Sequence, residues 1–242
     1  MAQRFFGRGA ASGTSAITPA VRNSAAQLAQ VALARVQEKS GGVRVEDFVT
    51  VLAALTGEAA LVAAGVLEIE TSAIPPGAPV FGPAINAILT GDQPDVTKVP
   101  ADSVVGVLVG ELVPGTASLD LFLPLDVFYG NVAASVGKNP WGNVAISVAV
   151  ANKPRVVPLQ VAFELRAAVD AAQAGSGLPR NLRHVVCAVA LADGLKDVKS
   201  ACDIDMAVTL AMEVVFGMSK MAPMSKAAFE QVRNQRGDSA PA

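Results

Sequence analysis

Histidine is nearly missing from this chain of 242 residues: there is one, His184, alongside two cysteines, one tryptophan and one tyrosine. One imidazole and two thiols cannot furnish the nitrogen and sulfur shell of a usual transition-metal site, so neither a metal nor another cofactor is expected. A Ser-His-Asp triad must use His184 or not exist. Cys187 and Cys202 have no C-x-x-C spacing and no companion pairs. That pattern excludes a disulfide framework and a structural zinc site, and it predicts a cytoplasmic protein.

Charge is scarce as well. Only 17% of residues are charged, and 19 Lys+Arg against 21 Asp+Glu leave a net charge of −2. A nearly neutral, sparsely charged surface favours association, which predicts a homo-oligomer, most simply a dimer, with another protein as the second candidate partner. From Asp92 to Asp126 there are six acidic residues against Lys98 alone, so nucleic acid is not an expected ligand. Glu58, Glu111 and Glu213 interrupt the longest apolar stretches, which argues against a membrane span. The start, MAQRFFGRGAASG, lacks the uninterrupted apolar segment of a secretory signal. Arg4, Arg8, Arg22 and Arg35 all precede the first acidic residue, Glu38, a composition similar to that of organelle-import segments and equally to a small basic arm, though arginines this spread out form no dense patch and are read first as a tail leading into a helix.

What the chain does contain is apolar periodicity: 52% of its residues are hydrophobic. Thr18-Pro19 is an N-cap and first-turn pair ahead of Val21, Ala25, Leu28, Ala32 and Val36 at helical spacing. A second helix is expected from Val45, with Glu46 and Asp47 in its first turn, and a third from Pro83, closed by Gly91. Residues 103–113, the stretch after Pro124, the segment from Pro158 to Ala174, the region after Pro179 and the run after Asp203 are read as further helices. Period-two alternation at Leu67–Glu70, at Val80-Phe81 across the Pro75-Pro76-Gly77 turn, and at Val144–Val150 predicts strands. The expected fold is therefore mainly α, formally α+β: a bundle-like helical core with a small two- or three-stranded antiparallel sheet. It is organised as an N-terminal tail (1–17), one helix-rich domain (18–221), and a short terminal helix with a tail (222–242).

Motifs that carry chemistry are few. Gly130 to Asn139 resembles a phosphate loop but has Val132 where the first glycine belongs and Asn139 in place of the magnesium-binding hydroxyl. Ser135 and Lys138 form an S-x-x-K pair without the companion motifs of acyl-transfer enzymes, at the wrong end of a helix to build an oxyanion site. Arg183 next to His184 offers it no orienting carboxylate, and Cys187 between Val186 and Ala188 reads as a core residue. Gly106 and Gly110 would let a helix approach another closely.

The densest polar and aromatic stretch holds Asp126, Tyr129, Asn131, Ser135, Lys138, Asn139, Trp141 and Asn143, and these are the candidate ligand-binding residues. No catalytic residue is assigned. The primary functional expectation is a non-catalytic protein that acts through self-association or a macromolecular partner. The alternative is a small-molecule binder or hydrolase that uses residues 126–143.

Overall fold

The computed structural model describes residues 17–38, 41–70, 74–122, 125–135 and 143–230, with Ser135 described in its backbone only. Eight helices longer than one turn are present among them: α1 (Pro19–Val36), α2 (Val45–Ala63), α3 (Pro83–Thr90), α4 (Val104–Leu112), α5 (Leu125–Ser135), α6 (Pro158–Gly175), α7 (His184–Val198) and α8 (Ile204–Ser219). Short 3-10 turns link several of them, and residues 226–230 form one further helical turn.

The helix starts follow capping chemistry. The Thr18 hydroxyl accepts from the Val21 amide at 3.3 Å, Ser103 Oγ accepts from the Gly106 amide at 3.1 Å, and the Asp203 carboxylate accepts from the Asp205 amide at 3.0 Å. Each satisfies a backbone donor that the first helical turn leaves without an internal partner. At the other end of α3, Gly91 closes the helix with φ +64, a left-handed conformation that glycine adopts at no steric cost.

Helix α2 is the axis of the fold. Every residue from Asp47 to Leu61 is buried, and α1, α3, α6, α7 and α8 all pack on it. A helix that is apolar around its whole circumference has to be enclosed in this way. Two glycines set the close approaches. A Cβ on Gly57 would lie 2.6 Å from Met218 Cβ and 2.6 Å from the Val215 carbonyl oxygen on α8. A Cβ on Gly194 of α7 would stand 3.2 Å from Phe48 Cε1 on α2. The expected role of Gly106 differs: it faces the Pro100 carbonyl and Ser103, in the loop before its own helix, while Gly110 has open space beside it. Of the methionines on the last core helix and its exit, Met212, Met218, Met221 and Met224 are buried and fill the core, while Met206 is half-buried.

Ion pairs tie the outer helices together. Glu111 of α4 receives Arg22 Nη2 of α1 at 2.7 Å and Lys196 Nζ of α7 at 2.6 Å. Burial pushes its carboxyl upward, but Arg22 and Lys196 outweigh that and hold it below the usual carboxylate range. Arg35 of α1 bonds Glu164 of α6 at 2.7 Å. Two of the N-terminal arginines therefore serve the packing of α1.

The expected antiparallel sheet is not found: no strand occurs among the described residues. The alternating segments do not stay extended: residues 69–70 form a turn, Val148 lies at a bend and Val150 begins a 3-10 turn, and other partners take up the groups a ladder needs. The Ser147 amide donates to the Glu213 carboxylate of α8 at 2.8 Å, and Val144 packs on Gly217. Residues 143–149 thus lie across α8 rather than beside another strand. The 78–80 segment meets 220–222 in one antiparallel bridge, Pro79 with Met221, through Val80 N–H to the Lys220 carbonyl and Ala222 N–H to the Ala78 carbonyl, each 2.8 Å. The ladder stops there because the Ala78 amide donates to the Pro75 carbonyl and the Lys220 amide to the Gly217 carbonyl, the two donors that would complete the flanking pairs.

Candidate functional site

Among the candidate residues, Asp126 and Tyr129 come together on α5, where they line a cleft of about 200 Å³ facing the C-terminal end of α3. Asn86, Thr90, Asp92 and Gln93 line the opposite wall. Asn131 is exposed on the same helix and Asn143 is half-buried, and neither lines the cleft. The Ser135 side chain, Lys138, Asn139 and Trp141 lie outside the described residues, as does the proposed phosphate-loop end. On α5 Leu125, Phe128 and Val132 are buried, while Val127 is 48% exposed.

Tyr129 is anchored on both sides of its ring. Its edge meets Phe216 at 4.9 Å between centroids, and its hydroxyl lies 3.1 Å from Thr90 Oγ1. Thr90 donates its own proton to the Asn86 carbonyl at 3.3 Å, so Tyr129 supplies the proton of the shared bond. Burial raises the Tyr129 phenol above its ordinary value, with a further push from the Asp92 charge. Asp92 itself has φ +57, in the left-handed region, directly after the left-handed Gly91. Two successive left-handed residues turn the chain sharply at the end of α3 and set Asp92 in the cleft wall opposite Asp126.

Behind this wall stands Lys220, the residue that caps α8. Only 4% of it is exposed. Its ammonium donates to Asn86 Oδ1 and sits 5.8 Å from the centroid of the Tyr129 ring, and no carboxylate forms an ion pair with it among the described residues. Burial pushes its amine down from 10.5 to about 8, and the charge of Asp92 offsets part of that. The cleft therefore presents two carboxylates, two amides and two hydroxyls, with one weakly basic amine held out of direct reach.

Other candidates are structural. His184 is buried at the start of α7, donating from Nε2 to the Asp102 carbonyl at 2.8 Å, while Nδ1 has no partner among the described residues. Burial lowers its basicity, so the neutral tautomer is favoured and the ring serves to hold the loop before α4. Cys187 is fully buried with its thiol pushed up to about 12 by desolvation, which removes the thiolate that reactivity requires. No group of three or more His, Cys, Asp and Glu among the described residues can hold a metal ion. No helix among them is long and apolar enough to cross a membrane.

Sequence reasoning missed Asn86, Thr90, Asp92, Gln93 and Lys220. For two of them the signal was present. Asp92 follows the glycine that ends α3, where a second left-handed residue redirects the chain. Lys220 is the one charged residue in an apolar run from Val214 to Met224, so burial of an ammonium was foreseeable. No family model, curated protein or solved structure matches this chain.

Proposed function

We propose that this protein is a non-catalytic binding protein and that the cleft between α3 and α5 takes a small uncharged polyhydroxyl ligand. The observation that carries the reading is the facing pair of carboxylates, Asp92 and Asp126, set with the Tyr129 ring around a cavity of about 200 Å³. Carboxylates accept hydrogen bonds from hydroxyl pairs, the amides of Asn86 and Gln93 both give and take, and an aromatic ring covers C–H surface. An anion is repelled by the two carboxylates, and the Lys220 ammonium behind Tyr129 offsets part of the field that would draw a cation. The binding reading is preferred to a catalytic one because Lys220 is committed to Asn86 and screened by Tyr129, and Thr90 is committed to the Asn86 carbonyl. The two unpaired thiols, Cys187 and Cys202, support placing this activity in a reducing compartment such as the cytoplasm.

Titration calorimetry against a panel of monosaccharides, linear polyols, short amines and short carboxylates tests the reading. A polyol is expected to bind, and Asp126→Asn, an exposed position, is expected to weaken it about tenfold, the loss of one charged hydrogen bond. Binding confined to amines or carboxylates, or no polyol binding at millimolar concentration, would reject it.

A second reading, self-association, is favoured by Phe81, which is 61% exposed just ahead of α3, and by Val66, exposed against the adjoining Gly82. A second copy of this chain is the occupant that the near-neutral charge favours. Light scattering should then give a dimer mass that Phe81→Asp converts to monomer. A monomer mass for the unaltered chain on concentration removes this reading.

A further inference from the structure

A larger cleft, about 350 Å³, opens between α2 and α6, with residues 67–70 closing its third side. Its floor is apolar: Leu55, Ala59 and Val62 from α2, Val169 from α6, and Leu67 with Ile69 from the connecting segment. The alternation that suggested a strand at 67–70 thus supplies both floor and rim of a cavity, since Glu68 and Glu70 line it too.

The charges on its walls are unequal. Four carboxylates, Glu58, Glu68, Glu70 and Asp170, face two guanidiniums, Arg166 and Arg180. Both guanidiniums are already engaged. Arg166 forks onto the buried Glu58 carboxylate at 2.8 and 3.1 Å and lies 3.5 Å from Glu70, and Arg180 lies 3.6 Å from Glu68. The Glu58 and Arg166 pair is bidentate and neutral as a unit, and Glu70 faces the remaining Nη1 of the guanidinium, which makes it a fixed wall rather than a receptor for an incoming anion. Asp170 is different. It is exposed at the cleft, makes no hydrogen bond or ion pair among the described residues, and feels the Arg166 charge only at longer range.

An apolar floor of this size, a net excess of two negative charges on the walls and one uncommitted carboxylate at the mouth define the complementary molecule. It has a positive head to meet Asp170 and an apolar body to displace water from Ala59, Val62 and Val169. We propose that the α2–α6 cleft is a second, independent binding site, for an aliphatic primary amine. The two clefts share no residue, so this site stands whether or not the α3–α5 cleft binds a polyol.

The test uses the full chain and three probes of one length that differ only in the head group: octylammonium, octanoate and octanol. Calorimetry at neutral pH is expected to show saturable octylammonium binding with octanoate at least tenfold weaker. Asp170→Asn should weaken octylammonium at least threefold and leave octanol unchanged, because only the charged head has lost its partner. Val62→Phe, at a half-buried position near the end of α2, should abolish binding of all three by filling the floor, with unchanged helical circular dichroism showing that the fold persists. Asp126→Asn should leave octylammonium binding intact, which separates this site from the polyol cleft. Octanoate binding as tightly as octylammonium, octylammonium affinity unchanged in Asp170→Asn, or no octylammonium binding at millimolar concentration would each overturn the proposal.

Discussion

Replacing Lys220 with methionine is expected to stabilise this protein at neutral pH and to destabilise it at high pH. Lys220 is 4% exposed and burial brings its amine from 10.5 to about 8 on folding. A change of that size corresponds to roughly 3 kcal/mol of preference for the uncharged amine in the folded state. At pH 7 the amine is protonated in both states, so the folded chain carries the whole of that cost. Methionine has nearly the same length and no charge, and it removes the cost, but it leaves Asn86 Oδ1 without its donor, a loss of about 1–2 kcal/mol. The net expectation at pH 7 is a gain of about 1–2 kcal/mol, or a melting temperature higher by several degrees (about 2–4 °C per kcal/mol for a chain of this length).

Raising the pH reverses the sign. Between about 8 and 10.5 the folded amine has lost its proton while the unfolded one still holds it, so the unaltered protein gains stability with pH across that window. The methionine variant lacks this group and does not follow. By pH 10.5 the variant should be less stable by about 1–2 kcal/mol, the unmet hydrogen bond alone. Urea denaturation followed by circular dichroism at pH 7 and at pH 10.5, on both proteins, measures the difference and cancels every other titrating group. A variant less stable at both pH values by the same amount would refute the reasoning, because it would mean that Lys220 carries no cost of desolvation.

Three further outcomes are expected. Glu58→Gln should cost about 3 kcal/mol in chemical denaturation, since it leaves the Arg166 guanidinium half-buried with its bidentate partner gone; a loss below about 1 kcal/mol would show that Glu70 takes over. Gly57→Ala should destabilise by several kcal/mol or prevent folding, because the added methyl meets the backbone of α8 and not a flexible side chain; Gly110→Ala, which meets nothing, should be neutral or slightly stabilising by the same measurement. Thiol titration should detect Cys202, which is partly exposed, well before Cys187 in the folded protein, and both together in denaturant.

How much of this was legible in the sequence depends on whether the deciding interaction is local. Thr18-Pro19, Ser103 and Asp203 act within one turn of themselves, and the helices they open begin where the sequence places them. The strands failed because alternation reports only that a segment has two unlike faces. At 143–149 the inner face is received by α8, through Glu213 and Gly217, which lie some seventy residues away and give no hint in the local pattern. The choice between neighbouring apolar residues of α5 is likewise made at a distance: Leu125 and Phe128 turn inward, Phe128 against Phe216 of α8, and Val127 is left exposed. The candidate site was half legible. Tyr129 and Asp126 stood out as polar and aromatic residues in an apolar chain, but their partners on α3 and at the end of α8 are joined to them only by tertiary packing.

The enclosure of α2 has a consequence for how the chain is made. Its nineteen residues leave the ribosome early, yet three of the helices that cover them, α6, α7 and α8, are among the last to be synthesised. At typical rates of elongation the interval is on the order of ten seconds or more. For that time a segment apolar on every side has only α1 and α3 to lie against. The cover of α2 is complete only once α8, whose backbone meets Gly57, has been made.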